Sequence, residues 1–206
     1  MKTITTKFLA LFALVAFLTT GANTFARTTN PNAPHDSPPD VEFLDMMTMH
    51  HQQGIEMARI AEQKAQLPRL KEFASKTIAD QEQEIQRMQD VRNRLFANVS
   101  KADKMRIGAK AMTMGQMDRM SKMDMQKLEA ASGREFDHMF LDIFIKHHQM
   151  ALQMSRNELA RGEQQEVKDM ARETIAKQTK DIAEMRVMLR QVGGGTRARA
   201  QGRRRA

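Results

Sequence analysis

The strongest constraint on this chain is that it matches itself. Shifted by 97 residues, Phe43-Leu44-Asp45 falls on Phe140-Leu141-Asp142, and His50-His51-Gln52 falls on His147-His148-Gln149. Met57 and Arg59 meet Met154 and Arg156. Farther on, Lys71, Ala74, Thr77, Ile78, Ala79, Gln81, Ile85 and Met88 meet Lys168, Ala171, Thr174, Ile175, Ala176, Gln178, Ile182 and Met185. Sixteen of the 46 positions from 43 to 88 are identical without a gap. Ordinary residue frequencies would give roughly three. A unit of this size cannot bury its apolar face alone and must pack it against its copy.

Within each copy the apolar residues recur at helical spacing: Phe43, Met46 or Met47, His50, Met57, Ile60 and Ala61, then Phe73, Ile78, Ile85, Met88, Leu95 and Phe96. Ser37-Pro-Pro-Asp40 and Ser132-Gly-Arg-Glu135 have capping-box spacing, and Pro39 and Pro68 suit first helical positions. Gly162 interrupts the third run and Gly193 suits the end of the fourth. The expectation is an all-α chain with helices near 38–65, 68–98, 133–161 and 164–192. Each is ~40 Å long at 1.5 Å per residue. Short turns make each pair an antiparallel hairpin, and two hairpins make a four-helix bundle. A bridge, 99–132, joins repeat one (40–98) to repeat two (133–192). Ser100 and Asp103 could open a helix there, with Gly108 and Gly115 against it.

The ends read differently from this body. Lys2 and Lys7 precede an eleven-residue apolar run, Phe8 to Leu18, and polar and small residues follow through Thr24-Phe25-Ala26. That is a cleavable export signal over 1–26, and the run is too short to span ~30 Å of hydrocarbon. Four prolines make 27–39 a flexible lead-in, and Gly193-Gly194-Gly195 opens a basic, flexible tail over 193–206. The net charge of +8 sits largely in these ends, with five arginines crowded into 197–205. The body is nearly neutral, which argues against a nucleic-acid surface. Cysteine is absent, so disulfides and thiolate metal sites are excluded. Nineteen methionines stand against no Trp and no Tyr, a bias towards thioether chemistry or Met-filled packing.

Adjacent helical residues point ~100° apart, so His50 and His51 face different ways. Met46, His50 and Met57 lie on one stripe, as do His147, Met150 and Met154; His51 and His148 begin a neighbouring stripe. Imidazole and thioether together suit soft or borderline metals, Cu(I) best. Asp45 and Asp142 are candidates to orient a ligating imidazole from outside the ligand set. The bland alternative is a set of core histidines held by hydrogen bonds. The bridge adds Met105, Met112, Met114, Met117, Met120, Met123 and Met125 within 21 residues, among polar neighbours. Thioether sulfur is soft and has no proton to lose, so these spacings read as a second and more labile site, with Met117 and Met120 ligating together. A di-iron bundle needs inward Glu residues and paired Glu-x-x-His motifs. Only Glu135-Phe-Asp-His138 has that spacing, and zinc-hydrolase, nucleophile-elbow and phosphate-loop motifs are absent, so no enzyme is expected.

The segments Phe43-Leu-Asp-Met-Met-Thr-Met-His-His-Gln-Gln and Phe140-Leu-Asp-Ile-Phe-Ile-Lys-His-His-Gln-Met resemble the exported bacterial family known as domain of unknown function 305. The resemblance covers about 40 to 190 and implies a ferritin-like four-helix bundle, in a family some of whose members are periplasmic copper-binding proteins. It points to Met46, His50, His51, Met57, His147, His148, Met150 and Met154 as ligands. Ile143-Phe144 in place of Met46-Met47 makes the second site poorer in sulfur. The expected function is periplasmic or secreted sequestration or transfer of Cu(I), with Ag(I) and Cu(II) as alternatives. The expected partners are the metal ion and another periplasmic copper protein, self-association being left open. The competing reading is a metal-free structural or stress-protective bundle.

Overall fold

The computed structural model describes residues 37–203 apart from 108 and 109, with side chains described to residue 193. The expected signal peptide and nearly all of the lead-in lie outside the described residues. Four long helices form the body: α1 (Pro39–Lys64), α2 (Pro68–Phe96), α4 (Gly133–Arg161) and α5 (Gln165–Arg203). Between the halves stand β1 (Lys104–Ile107), β2 (Lys110–Thr113) and the shorter α3 (Met114–Ala130). Helix α1 packs on α2 and α4 on α5, and the hairpins meet chiefly through α1 and α4. This is the four-helix bundle that the duplication demands.

The caps are not those that the serines predict. Prolines at the start of α1 and α2 occupy first-turn positions, where the missing N–H costs nothing, but neither N-cap nor Ser132 makes a side-chain capping bond. Gly133 instead opens α4 with φ of +61°, a left-handed turn that favours glycine. The orphan amides are met across the repeat. Asp40, in the first turn of α1, accepts from the Glu163 and Gln164 N–H groups ahead of α5 at 3.1 and 2.9 Å. Asp137, its mate 97 residues on, accepts from Gln66 and Leu67 ahead of α2 at 2.8 and 2.9 Å. Each carboxylate thus sits at the positive end of the other hairpin's second helix.

Two further expectations are corrected. The bridge does not begin as a helix at Ser100. Strands β1 and β2 pair antiparallel with Met105 opposite Met112, and Thr113 caps α3, its hydroxyl and Gln116 making a reciprocal capping box. The local Thr-x-x-Gln signal outweighs the one at Ser100. The glycine run also fails to end the last helix, which continues to Arg203; no proline follows, and the Arg, Ala and Gln beyond it are good helix formers.

The core divides into two. One end is phenylalanine-rich, with Phe136, Phe140 and Phe144 wholly buried beside Leu141 and Met57. The other is methionine-rich, burying Met46, Met47, Met88, Met105, Met117, Met154 and Met170 around Phe43 and Leu44. Each such side chain contributes ~1.5–3 kcal/mol by leaving water. Among the described residues no helix is long and apolar enough to cross a membrane.

Candidate metal centre

The paired histidines occupy the middle of the bundle. His50 of α1 and His147 of α4 stack with ring centroids 3.6 Å apart, so the two copies of the motif touch across the interface between the halves. His51 and His148 turn away from that contact, as the ~100° step requires, each towards the second helix of its own hairpin. His51 Nε2 lies 2.8 Å from Glu84 Oε2, and His148 Nε2 lies 3.8 Å from Asp181 Oδ2. Glu84 and Asp181 are themselves repeat mates.

The tautomers follow from the acceptors. The His147 carbonyl can only accept, so His50 donates to it from Nε2 at 3.1 Å and leaves Nδ1 bare. His51 likewise donates from Nε2 to Glu84, leaving Nδ1 buried and unpartnered. His148 donates from Nδ1 to the Phe144 carbonyl at 3.0 Å, which leaves Nε2 without a hydrogen bond. His147 faces the His50 carbonyl in the reciprocal position but makes no well-formed hydrogen bond from either nitrogen. Burial first, and neighbouring imidazoles second, hold His50 and His147 well below the ordinary histidine value. Burial takes His148 down to about 3. These three are neutral at pH 7, the state in which imidazole ligates.

Glu84 carries the second half of an α1-to-α5 connection. Its Oε1 accepts from Lys177 at 2.8 Å while Oε2 receives His51. Burial would raise Glu84, but the hydrogen bonds and charges of His51 and Lys177 bring it below the usual carboxylate range. Asp181 has no such lysine bond and is pushed up to about 6, mainly by burial. The carboxylates expected for this role do other work. Asp45 receives Arg92 Nε at 3.0 Å and the Ala102 N–H at 2.9 Å, which ties the start of the bridge to hairpin one. Asp142 lies half-buried, 3.6 Å from His138 on its own helix. Both sit on the wrong side of their helix to reach an imidazole of the pair.

Beside His51 is a cavity of about 20 Å³ lined also by Glu84, Met88, Met170, Thr174 and the ion-paired Arg87 and Glu173. That is room for a single small occupant. Met88 and Met170 are almost wholly buried, and both were missed as candidates. Met88 was visible as a repeated position, whereas Met170 replaces Phe73 and only its place in the lining of this cavity reveals it. Near His148, Phe73 of α2 meets Phe144 of α4 edge-on, and the Phe144 and His148 ring centroids lie 4.6 Å apart, so phenyl rather than thioether stands against this imidazole. Gly54 makes room at the centre: a β-carbon there would lie 2.5 Å from Gln81 Oε1 and 3.1 Å from the His147 ring. The Gln81 amide is buried there with neither polar atom partnered.

The predicted methionines separate. Met46 and Met154 are buried in the methionine-rich end and Met150 packs half-buried against it, whereas Met57 belongs to the phenylalanine-rich end. Of the bridge, Met105 and Met117 are core, and Met112 and Met114 are half-buried against the same cluster. Met125 packs on the other cluster. Met120 and Met123 are 44% and 59% exposed. Met117 and Met120 therefore do not ligate together: α3 buries the face of Met117, Ser121 and Leu128 and turns Met120 outward. Among the described residues no three His, Asp or Glu side chains converge on one point. The donors left to an ion are bare imidazole nitrogens and thioethers, a soft set that suits Cu(I) or Ag(I) far better than a hard cation.

No curated protein sequence matches the chain. Among solved structures, CopM in its Cu(II)-bound form is 33% identical, with 74% of this chain and 96% of CopM covered and a TM-score of 0.59. CopM in its Cu(I)-bound form is 32% identical over the same shares, with a TM-score of 0.55. A Deinococcus radiodurans fragment from the same family is 22% identical over 77% of this chain and 99% of its own length, at a TM-score of 0.62, and shares the fold. The model of the family described as domain of unknown function (DUF305) matches residues 40–189, both copies of the histidine motif included, and the chain belongs to that family.

Proposed function

We propose that this protein binds a monovalent soft metal ion, Cu(I) or Ag(I), inside the bundle, and that it holds or hands on that metal without transforming a substrate. One observation carries the reading: His51 Nδ1 is buried and unpartnered in a half of the molecule where the small cavity is walled by two thioethers. The reading is supported by the orienting carboxylate behind His51, the arrangement that metal-ligating histidines use to fix tautomer and direction. It is supported as well by CopM, 32–33% identical, which has been crystallised with Cu(I), Cu(II) and silver. His50, His51, His147 and His148 supply the nitrogens; Met88 and Met170 supply sulfur beside His51. The export signal read in residues 1–26 directs such a protein to the periplasm or beyond, where a thioether site survives oxidation that would consume thiols.

The test is an anaerobic Cu(I) titration against a competing chelator. The expected result is tight binding that weakens at least tenfold in Met88→Leu/Met170→Leu, a volume-conserving pair, and more in a variant with all four histidines changed to Ala. A protein that cannot compete for Cu(I) at all returns the bundle to a structural role.

A further inference from the structure

We propose that Met112, Met120 and Met123 form a second, outer site for a monovalent soft metal ion, on the surface and separate from the histidines. It shares with the interior site only the class of ion. The three thioethers line one open groove of about 550 Å³ between the strand pair and α3. The corner that brings them together is fixed. Met112 is the last residue but one of β2, and the Thr113–Gln116 capping box sets how α3 leaves that strand. Met120 and Met123, three apart, share a face of α3. Apart from Leu95, they are the large apolar side chains left exposed among the described residues, although Lys or Gln would be the ordinary choice there.

The remaining lining selects for charge type. It contains no carboxylate and no imidazole, and its charged members are Lys110 and Arg119. Hard divalent ions find no anionic oxygen and meet two cations. A soft monovalent ion finds neutral sulfur, the donor it prefers. The site is also next to the interior. Met105, opposite Met112 in the strand pair, and Met117, one turn before Met120, are both buried in the cluster that holds Met46 and Met154. Thioethers therefore run from the groove to the methionine-rich end, and an ion captured outside has soft donors along its way in.

Silver(I) is the probe, being soft, monovalent and stable in air. The full chain, Met112→Leu/Met120→Leu/Met123→Leu, and the four-histidine variant are each titrated with silver nitrate and their bound equivalents counted by native mass spectrometry. The triple variant is expected to bind one ion fewer, with its circular dichroism and melting temperature unchanged because leucine fills the same space. Since a thioether carries no proton, that equivalent is expected to be the same at pH 5 and pH 7. Unchanged stoichiometry in the triple variant overturns the outer site. If the histidine variant loses an ion and the triple variant does not, the interior reading stands and this one falls; the reverse result sinks the interior reading alone.

Discussion

At the residue scale, three of the four motif histidines commit one ring nitrogen to a protein acceptor and leave the other bare, in a place water does not reach. The neutral form has a measurable consequence. An unfolded histidine takes a proton near pH 6.5. His50 and His147 resist it well below that value, and His148 down to about 3. The unfolded chain then binds more protons than the folded one, so stability is expected to fall as pH drops from about 6.5 towards 3. Urea midpoints across that window measure the slope, which His148→Gln should flatten. Glu158 has the opposite sign. It is wholly buried beside Asp40, and burial first, with the neighbouring Asp40 carboxylate second, raises it to about 8. Here the folded state keeps the proton, so this carboxyl favours folding below its unfolded value near 4.5 and loses that advantage as pH rises through about 8. Glu158→Gln is expected to be more stable than the parent at pH 8.5, on the order of 2 kcal/mol, and no more stable at pH 4.

The elements are held together by reciprocal devices that follow the duplication. Asp40 and Asp137 each serve the two amides ahead of the other hairpin's second helix. Asp137→Ala is expected to cost ~1–2 kcal/mol, the range for losing a helix cap, read as a lower thermal midpoint with the helical circular dichroism spectrum retained. The spacing of Ser37 and Ser132 pointed to local caps, because a capping box is written within four residues. A carboxylate that reaches 123 residues along the chain leaves no such local trace. The strand pair β1 and β2 was equally hard to read, since four-residue strands fall below the length at which alternation separates from chance.

For the whole molecule, the halves are alike in backbone and unlike in chemistry. Met47 and Phe73 of repeat one are the mates of Phe144 and Met170 of repeat two; the thioethers of Met88 and Met170 line the cavity beside His51, whereas the Phe144 ring lies against His148. A ligand bound by both hairpins, or wedged between them, stabilises the fold by mass action. At 100 times its dissociation constant the gain is ~2.7 kcal/mol. For a domain of this size each kcal/mol is worth about 2–4 °C. Saturating silver(I) is therefore expected to raise the melting temperature by roughly 5–10 °C. In the four-histidine variant that rise should shrink, whatever the variant's own starting stability.

What the sequence determined by itself was the architecture and the central pair. A 97-residue repeat with helical apolar spacing has few ways to bury itself, and the identity of His50-His51 with His147-His148 places two pairs of imidazoles at equivalent positions of the two hairpins. Periodicity also tells which neighbours diverge. It carries no information on distance between helices, and that is what decided the rest. Only the folding of α2 and α5 beside α1 put Glu84, Met88 and Met170 around the His51 cavity, and set Asp45 to hold the bridge. Only the turn at Thr113 divided seven bridge methionines between core and groove. Helical spacing is local and written in the chain; the partners of a side chain are fixed by the folding of distant segments against it.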